Sequence, residues 1–458
     1  MSDVYVSLAE KLIYQRNPKG LDVRMPSSDD NWNKKRVSMN MDGARLIEAC
    51  ADGGGTVAEI TGRYNAKYPE RKLPHEKAVA FFKRAALDGL VKLSKERDGG
   101  RVEIKGSATL YYPQHMSIEL TSRCNYRCKH CYRGSSPDGG EDINFEKLMK
   151  FLDDFSMHGG SAVEFTGGEP MLNPKFFEII NFAVTRFPIV AIITNGYLLD
   201  EAAQRRLLPY KEILKFNISL DSHLPEYHNR FRGKSDAYEH TVKNLEALGK
   251  NGFMFRVAMS ITHENYMHLE ETLKLAKKLG ATKFVYSLVQ DVGRGEDTGV
   301  VVQQAKGEFE KYMAYEQRIQ TEYKDIIHFV SPEAKKEAEA SNCGIIQRSF
   351  VLGPEGELRP CVMFDASLRI GNIYKQPFEE IFGSGLSAEF TKIHAPKESV
   401  CGKCEHLALY CKGCILKGIK RGRTVKDCPW LKQPGIAKYF SEAPVERSCA
   451  NYREHVCD

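Results

Sequence analysis

The chain has 458 residues, of which 42% are hydrophobic and 28% charged, and its 66 Lys and Arg against 60 Asp and Glu leave a formal charge of +6. That length carries about two to four domains with ordinary cores, and the near balance of charge excludes a polyelectrolyte chain and gives no footing for nucleic acid as a main partner. No apolar run is long enough to span a bilayer and no apolar segment follows Met1, so no membrane partner is expected and the cytoplasm is the expected location.

Residues 1–106 read as a small domain of their own. "KLIYQRN", "LDVRM" and "RVSMN" are strand candidates, followed by two helices around a Gly-rich turn in "MNMDGARLIEACADGGGTVAEITGRYN", the second opened by Thr56. A third helix runs through "PHEKAVAFFKRAALDGLVKL", and "KERDGGRVEI" reads as a hairpin around Gly99 and Gly100. Strands, three helices and a wing are the parts of a winged-helix module. Cys50, inside the first helix pattern, reads as packing.

From residue 112 to 295 the rhythm is strand, helix, strand, helix. The strand candidates are "MSIELT", "SAVEFT", "IVAIIT", "KFNISL", "FRVAMSIT" and "TKFVYSL", with helical patterns opening near Phe145, Pro174, Asp200, Tyr238 and Tyr266. Apolar strands alternating with helices predict an α/β fold with a parallel sheet, and six units predict a partial (β/α)6 barrel. Residues 296–342 read as a charged, helical bridging region. Residues 343–458 are rich in Cys and Gly.

Thirteen cysteines are too sparse for a disulfide scaffold, and they cluster. Cys124, Cys128 and Cys131 in "CNYRCKHC" follow the first strand of the sheet, at the end where such folds place chemistry. A structural zinc site closes a tetrahedron with a fourth ligand, whereas three thiolates on a 4Fe-4S cluster leave one iron open to a small molecule.

This spacing resembles the signature of the radical S-adenosylmethionine enzymes, and residues at later strand ends support the comparison. They are Gly167, Gly168, Glu169 and Pro170 in "FTGGEP", Asn195 in "TNG" and Ser219 in "SLD". The resemblance implies that the glycine-rich segment meets the amino group of S-adenosyl-L-methionine and that the later residues hold its carboxylate and ribose. It places His130 where an aromatic residue lines the adenine site. Arg232 in "FRG" and Arg256 in "FRVAMS" are candidates for a carboxylate contact, with Arg232 preferred.

The C-terminal cysteines resemble the SPASM extension of enzymes acting on ribosomally made peptides. The resemblance assigns Cys401, Cys404, Cys411 and Cys428 to an outer auxiliary cluster and Cys343, Cys361 and Cys414 to an inner one, making three 4Fe-4S clusters in all. Seven thiols are one short of two full sets. Either an inner iron is open to a substrate thiolate, or Cys449, Cys457 or another group completes the shell. The spacing of Cys404, Cys411 and Cys414 departs from the usual run of the extension.

Nearly the whole chain resembles the radical enzymes that put thioether crosslinks into ribosomal peptides, notably in "SLDSHLPEYHNRFRGKSDAYEHT", "RVAMSITHENY" and "DVGRGED". The resemblance makes the winged-helix domain a recognition element for the leader of a precursor peptide, which adds a strand to a sheet edge. It implies that an adenosyl radical takes hydrogen from an acceptor carbon, with an Asp or Glu side chain as the favoured acceptor, to which a cysteine sulfur then bonds. A surplus electron leaves through the auxiliary clusters, and a flavodoxin or ferredoxin is the expected electron donor. Three other readings stay open: a radical carbon-carbon crosslinking enzyme or epimerase, a sulfatase-type oxidation that would leave the N-terminal module without a task, and an iron-sulfur winged-helix regulator that binds DNA. The last needs a basic recognition helix, yet "VAEITGRYN" holds one arginine and one glutamate.

Overall fold

The structure is a computed structural model that describes residues 4–24, 36–302, 307–327, 349–364, 369–383, 392–407, 411, 413–422, 427–433 and 436. The chain divides into two compact units, one of residues 1–112 with 154–161 and the other of residues 113–153 with 162–458.

In the first unit, strands β1 (Tyr5–Leu8), β2 (Ile13–Asn17), β3 (Gly20–Arg24) and β4 (Arg36–Met39) precede helix α1 (Met41–Ala51), and the short β5 (Gly55–Thr56) leads into α2 (Val57–Lys67). Helix α3 (His75–Leu87) is followed by β6 (Val91–Ser94) and β7 (Ile104–Gly106). Asn40 caps α1 by accepting the Gly43 amide at 3.0 Å. Thr56 caps α2 in a reciprocal box, accepting the Glu59 amide while the Glu59 carboxylate accepts the Thr56 amide. The helices bury Leu46, Ile47, Ile60, Tyr64 and Phe82 against Val6, Tyr14, Leu21 and Val23.

The hairpin expected across Gly99 and Gly100 does not form. Strand β6 pairs antiparallel with β1 and β7 pairs parallel with β2, because two strands paired only with each other bury almost nothing while each of these joins a sheet that covers the helices. One sheet runs β5-β1-β6 and the other β4-β3-β2-β7, leaving β4 as an edge.

In the second unit the six expected strands are present: β8 (His115–Glu119), β9 (Ala162–Thr166), β10 (Ile189–Thr194), β11 (Leu214–Ser219), β12 (Met254–Ile261) and β13 (Lys283–Leu288). All neighbours among them pair in parallel. Between them come α4 (Phe145–Met157), α5 (Phe176–Ala183), α6 (Glu201–Leu207), α7 (Pro225–Arg232), α8 (Ala237–Lys250) and α9 (Leu269–Lys278). Helix α7 was not expected from the sequence. It opens on Pro225, whose fixed φ suits a first helical turn, and stops at Gly233 with φ of 65°. In the bridging region α10 (Glu308–Glu322) buries Tyr312 and Ile319 on one side.

The sheet also continues beyond β8. From the Cys-rich region β14 (Ser349–Leu352) pairs parallel with β8, and β15 (Glu357–Arg359) and β16 (Gly371–Asn372) extend it antiparallel. The Cys-rich segment is therefore built onto the edge of the barrel sheet. Cys343, Cys449 and Cys457 lie outside the described residues.

Thr56→Ala removes one half of the capping box, and loss of such a cap costs about 1 kcal/mol. The expected outcome is faster hydrogen exchange across residues 57–67, with the amides of β8 to β13 unchanged.

Candidate active site

Cys124, Cys128 and Cys131 come together on one loop. Cys124 and Cys128 are buried with Tyr126 and Ala237, and Cys131 and Tyr197 pack against them. All three cysteines line a cavity of about 340 Å³, together with Gly167, Gly168, Asn195, Ser219 and Arg232. The far wall includes Ala258, Ser260, Val285 and Tyr286, from β12 and β13.

A loop bent to aim three side chains into one space pairs only part of its own backbone, and other parts of the unit supply further partners. The amides of Arg127 and Lys129 donate to Arg232 and Phe231 carbonyls at 3.2 and 3.0 Å, at the end of α7. The Cys124 amide donates to Ser136 at 3.0 Å. Arg294, in the segment after β13, donates its Nε to the Cys128 carbonyl at 2.7 Å and its Nη2 to Ser135 at 2.9 Å, while its amide donates to Cys131 at 3.0 Å. Nothing local in "DVGRGED" marks Arg294 for this role, because its side-chain partners lie 166 and 159 positions earlier in the chain.

The glycine-rich segment lies directly against the strand end that leads into this loop. The Gly168 amide donates to Thr121 and the Glu169 amide to Arg123, both at 2.8 Å. A Cβ on Gly168 would stand 2.0 Å from the Arg123 carbonyl oxygen, and one on Gly167, at φ of 129°, would stand 2.3 Å from that of Thr121. No other residue fits either position without moving the cysteine loop.

Glu169 is fully buried, and its carboxylate accepts the Asn195 amide at 2.9 Å, the Thr194 hydroxyl at 2.7 Å and the Met171 amide at 3.3 Å. Burial raises its pKa to about 7 against these hydrogen bonds. It ties the ends of β9 and β10 together. Pro170 begins a short 3-10 turn behind it. Asn195 donates to Asn125 Oδ1 at 2.8 Å and accepts the Tyr197 amide at 2.9 Å, so it joins the third strand end to the cysteine loop.

Arg232 lines the cavity, but its Nε is paired with the buried Asp221 and its Nη1 stands 3.9 Å from Cys128 Sγ. Asp221, overlooked in the "SLD" motif in favour of Ser219, also accepts the Ser260 amide at 2.9 Å. Burial works to raise the Asp221 pKa, yet Arg232, His130 and His228 together hold the carboxyl below its ordinary range. Arg256 pairs in register with Asn217 one layer deeper, with Glu164 as a neighbouring opposite charge. His130 stacks on Phe231 at 4.5 Å with 5° between the rings, and burial, followed by Arg232, lowers its pKa to about 3, so the ring is neutral.

The donor set fits an iron-sulfur cluster. Three thiols line one cavity whose other walls include Tyr126, His130, Arg232, Met259 and Tyr286, with no fourth cysteine, no carboxylate and no histidine but His130 among the described lining residues, and three thiolates on a 4Fe-4S cluster leave one iron open to that space. Burial, then the neighbouring Cys128 thiol, pushes the Cys124 thiol up, and burial raises Cys128 to about 11, so a cluster must displace protons to bind. In the C-terminal segment the Cys401 thiol is raised by burial and by the nearby Cys428 and Cys404 thiols. Cys411 is buried, and Cys414 donates its amide to the Cys411 carbonyl at 3.1 Å in the same turn. Cys361 follows β15 after one residue.

A parallel partial barrel with a three-cysteine loop at its first strand end, extended by a Cys-rich segment, defines an iron-sulfur enzyme class. Residues 118–276 match the model of the radical SAM superfamily and residues 343–405 that of the SPASM iron-sulfur cluster-binding domain. The chain belongs to the radical SAM superfamily and carries its SPASM extension.

It is 33% identical over 387 residues to the antilisterial bacteriocin subtilosin biosynthesis protein AlbA of Bacillus subtilis (strain 168), covering 83% of this chain and 85% of that protein. It is 28% identical over 327 residues to the AdoMet-dependent heme synthase of Methanosarcina barkeri, covering 66% of this chain and 91% of the synthase. In fold it is similar to Streptococcus suis SuiB, solved bound to the precursor peptide SuiA, with a TM-score of 0.65 and 12% identity over 94% of this chain and 99% of that one.

Arg294→Ala removes the side-chain donor from the Ser135 carbonyl and leaves that of Cys128 with the Cys131 amide at 3.3 Å, at about 1 to 3 kcal/mol for a carbonyl that loses its donor and stays dry. The expected outcome is faster loss of iron to a chelator under anaerobic conditions, followed by the fading of the cluster's visible absorbance. Arg294→Lys, which reaches only one of the two carbonyls, falls between the variant and the parent.

Proposed function

We propose that this protein is a radical SAM peptide maturase that forms thioether crosslinks between a cysteine sulfur and a carbon of an acceptor residue in a ribosomally made precursor. The observation that carries the reading is the pairing of two features in one unit. A three-thiol loop opens into a cavity walled by the Gly167-Gly168 segment, and a second cysteine-bearing segment is hydrogen-bonded to the same strand that carries the loop. The 33% identity to a subtilosin biosynthesis protein over most of both chains supports a peptide substrate.

When bound, S-adenosyl-L-methionine on the first cluster supplies a carbon radical strong enough to remove unactivated hydrogen. The chain holds the first cluster through Cys124, Cys128 and Cys131. Gly167 and Gly168 let the backbone approach the methionine end, and Asn195, Ser219 and Arg232 complete the polar wall. His130 lines the cavity with its ring stacked on the buried Phe231, which fixes that part of the wall.

In this reading Cys401, Cys404, Cys411 and Cys428 hold an outer auxiliary cluster, and Cys361 and Cys414 with Cys343 an inner one, for three 4Fe-4S clusters in total. The inner site positions the donor cysteine, and a flavodoxin or ferredoxin delivers the starting electron in the cytoplasm. The first unit serves as the leader-recognition domain, with β4, at the end of its sheet among the described residues, as the strand to which an extended peptide adds.

A DNA-binding role for α2 is disfavoured by Arg63, which donates its Nε to Ala49 at 2.9 Å and its Nη2 to Gly54 at 2.6 Å and so is spent within the unit. Among the described residues no helix is long and apolar enough to cross a membrane.

The deciding experiment is mass spectrometry of a cysteine-containing precursor after anaerobic turnover, with alkylation of free thiols. Loss of a pair of hydrogens per ring, together with thiols that no longer alkylate, is the expected result. Hydrogen loss with thiols still free points to a carbon-carbon crosslink, and unchanged mass with altered stereochemistry to epimerisation; either overturns the thioether reading.

Cys124→Ala is expected to abolish formation of 5′-deoxyadenosine. Cys361→Ala is expected to retain cofactor cleavage and lose the crosslinked product, which chromatography of both products checks.

A further inference from the structure

Glu119 is the last residue of β8 and is fully buried. Its Oε2 is ion-paired with both Arg133 and Arg359, and its Oε1 accepts the Tyr132 hydroxyl at 3.1 Å. Arg359 ends β15, is 3% exposed, and donates its Nη1 to the Phe364 carbonyl at 2.7 Å. The Phe364 amide in turn donates to the Cys361 carbonyl at 3.1 Å. The Arg359 side chain therefore spans the turn that presents Cys361, with its other end on Glu119. Glu357, nearly as buried, stands 3.5 Å from Arg359 Nε and balances the second guanidinium.

We propose that Glu119 is a positioning residue shared by two cysteine-bearing segments, fixing the Cys361 turn through Arg359 and the residues that follow Cys131 through Tyr132 and Arg133. A buried carboxylate holding two guanidinium groups has few alternative geometries, because moving either arginine leaves an uncompensated charge in a dry site. That stiffness is what an inner auxiliary cluster needs from a segment that contributes only a short strand and a turn. The inference rests on the reading of Cys361 as an inner-cluster ligand.

The test is iron and sulfide content of the full chain in a background in which Cys124, Cys128 and Cys131 are all Ala, so that the remaining iron belongs to the auxiliary sites. Two loaded auxiliary clusters carry about eight irons, and Glu119→Gln, which keeps the volume but loses the charge, is expected to fall to about four. Arg359→Lys, able to reach Glu119 or Phe364 but not both, is expected to lie between. Arg133→Gln, which disturbs the same carboxylate but leaves the Glu119–Arg359 pair and the Cys361 turn in place, is expected to retain more iron than Glu119→Gln.

In the otherwise unchanged holoenzyme, Glu119→Gln is expected to lose the paramagnetic resonance of one auxiliary cluster while the first cluster's signal still shifts on adding S-adenosylmethionine. A general loss of structure does not produce that selective pattern. Full iron with an unchanged resonance in Glu119→Gln overturns the proposal; if that variant fails to fold, full iron in Arg359→Lys overturns it instead. Cys361→Ala run alongside separates the two readings. Unchanged iron there removes Cys361 as a ligand and the proposal with it, whereas iron lost there but retained in Glu119→Gln overturns the anchoring alone.

Discussion

A loop that must turn three thiols toward one object pairs only part of its own backbone, and much of the second unit is organised around the remainder. The end of α7 accepts two of the loop's amides, Arg294 caps two of its carbonyls with its side chain, and the glycine-rich segment after β9 donates to the strand end just before it. Each supplier comes from a different part of the chain. The barrel is the frame that brings strand ends, and so these suppliers, to one place.

Close approach explains the residue types as much as hydrogen bonding does. Gly168 lies where any side chain would collide with the Arg123 carbonyl, and Gly233, at φ of 65°, ends α7 where a Cβ would meet the Arg127 carbonyl at 2.5 Å. The glycines read as a cofactor motif are also the contacts that let the loop sit tightly on the sheet. Charge is handled with similar economy. Asp221 and Glu119 are fully buried, yet each holds an arginine that reaches toward a cysteine-bearing segment.

The two units are built differently. The second holds the three-cysteine loop at the ends of a parallel sheet, and the first packs its helices into a small core with a four-stranded sheet that has β4 at one end among the described residues.

The sequence by itself determined the local and periodic features. The alternation of apolar strands with helices placed β8 to β13, the Thr56 to Glu59 spacing marked the start of α2, and the "CNYRCKHC" spacing with "FTGGEP" identified the loops that line the cavity. These are short-range signals, set by which residues suit a strand, a cap or a thiol cluster. Only the tertiary structure decided the partnerships across long separations. It sent β6 and β7 to separate sheets, joined β14 of the Cys-rich region to β8, and spent Glu169 on Asn195 and Arg232 on Asp221. Arg294 and Glu119 were visible as letters but not as roles. A buried charge or a free carbonyl finds its partner through the folded chain, over 240 positions in the case of Glu119 and Arg359, and no local pattern encodes that pairing.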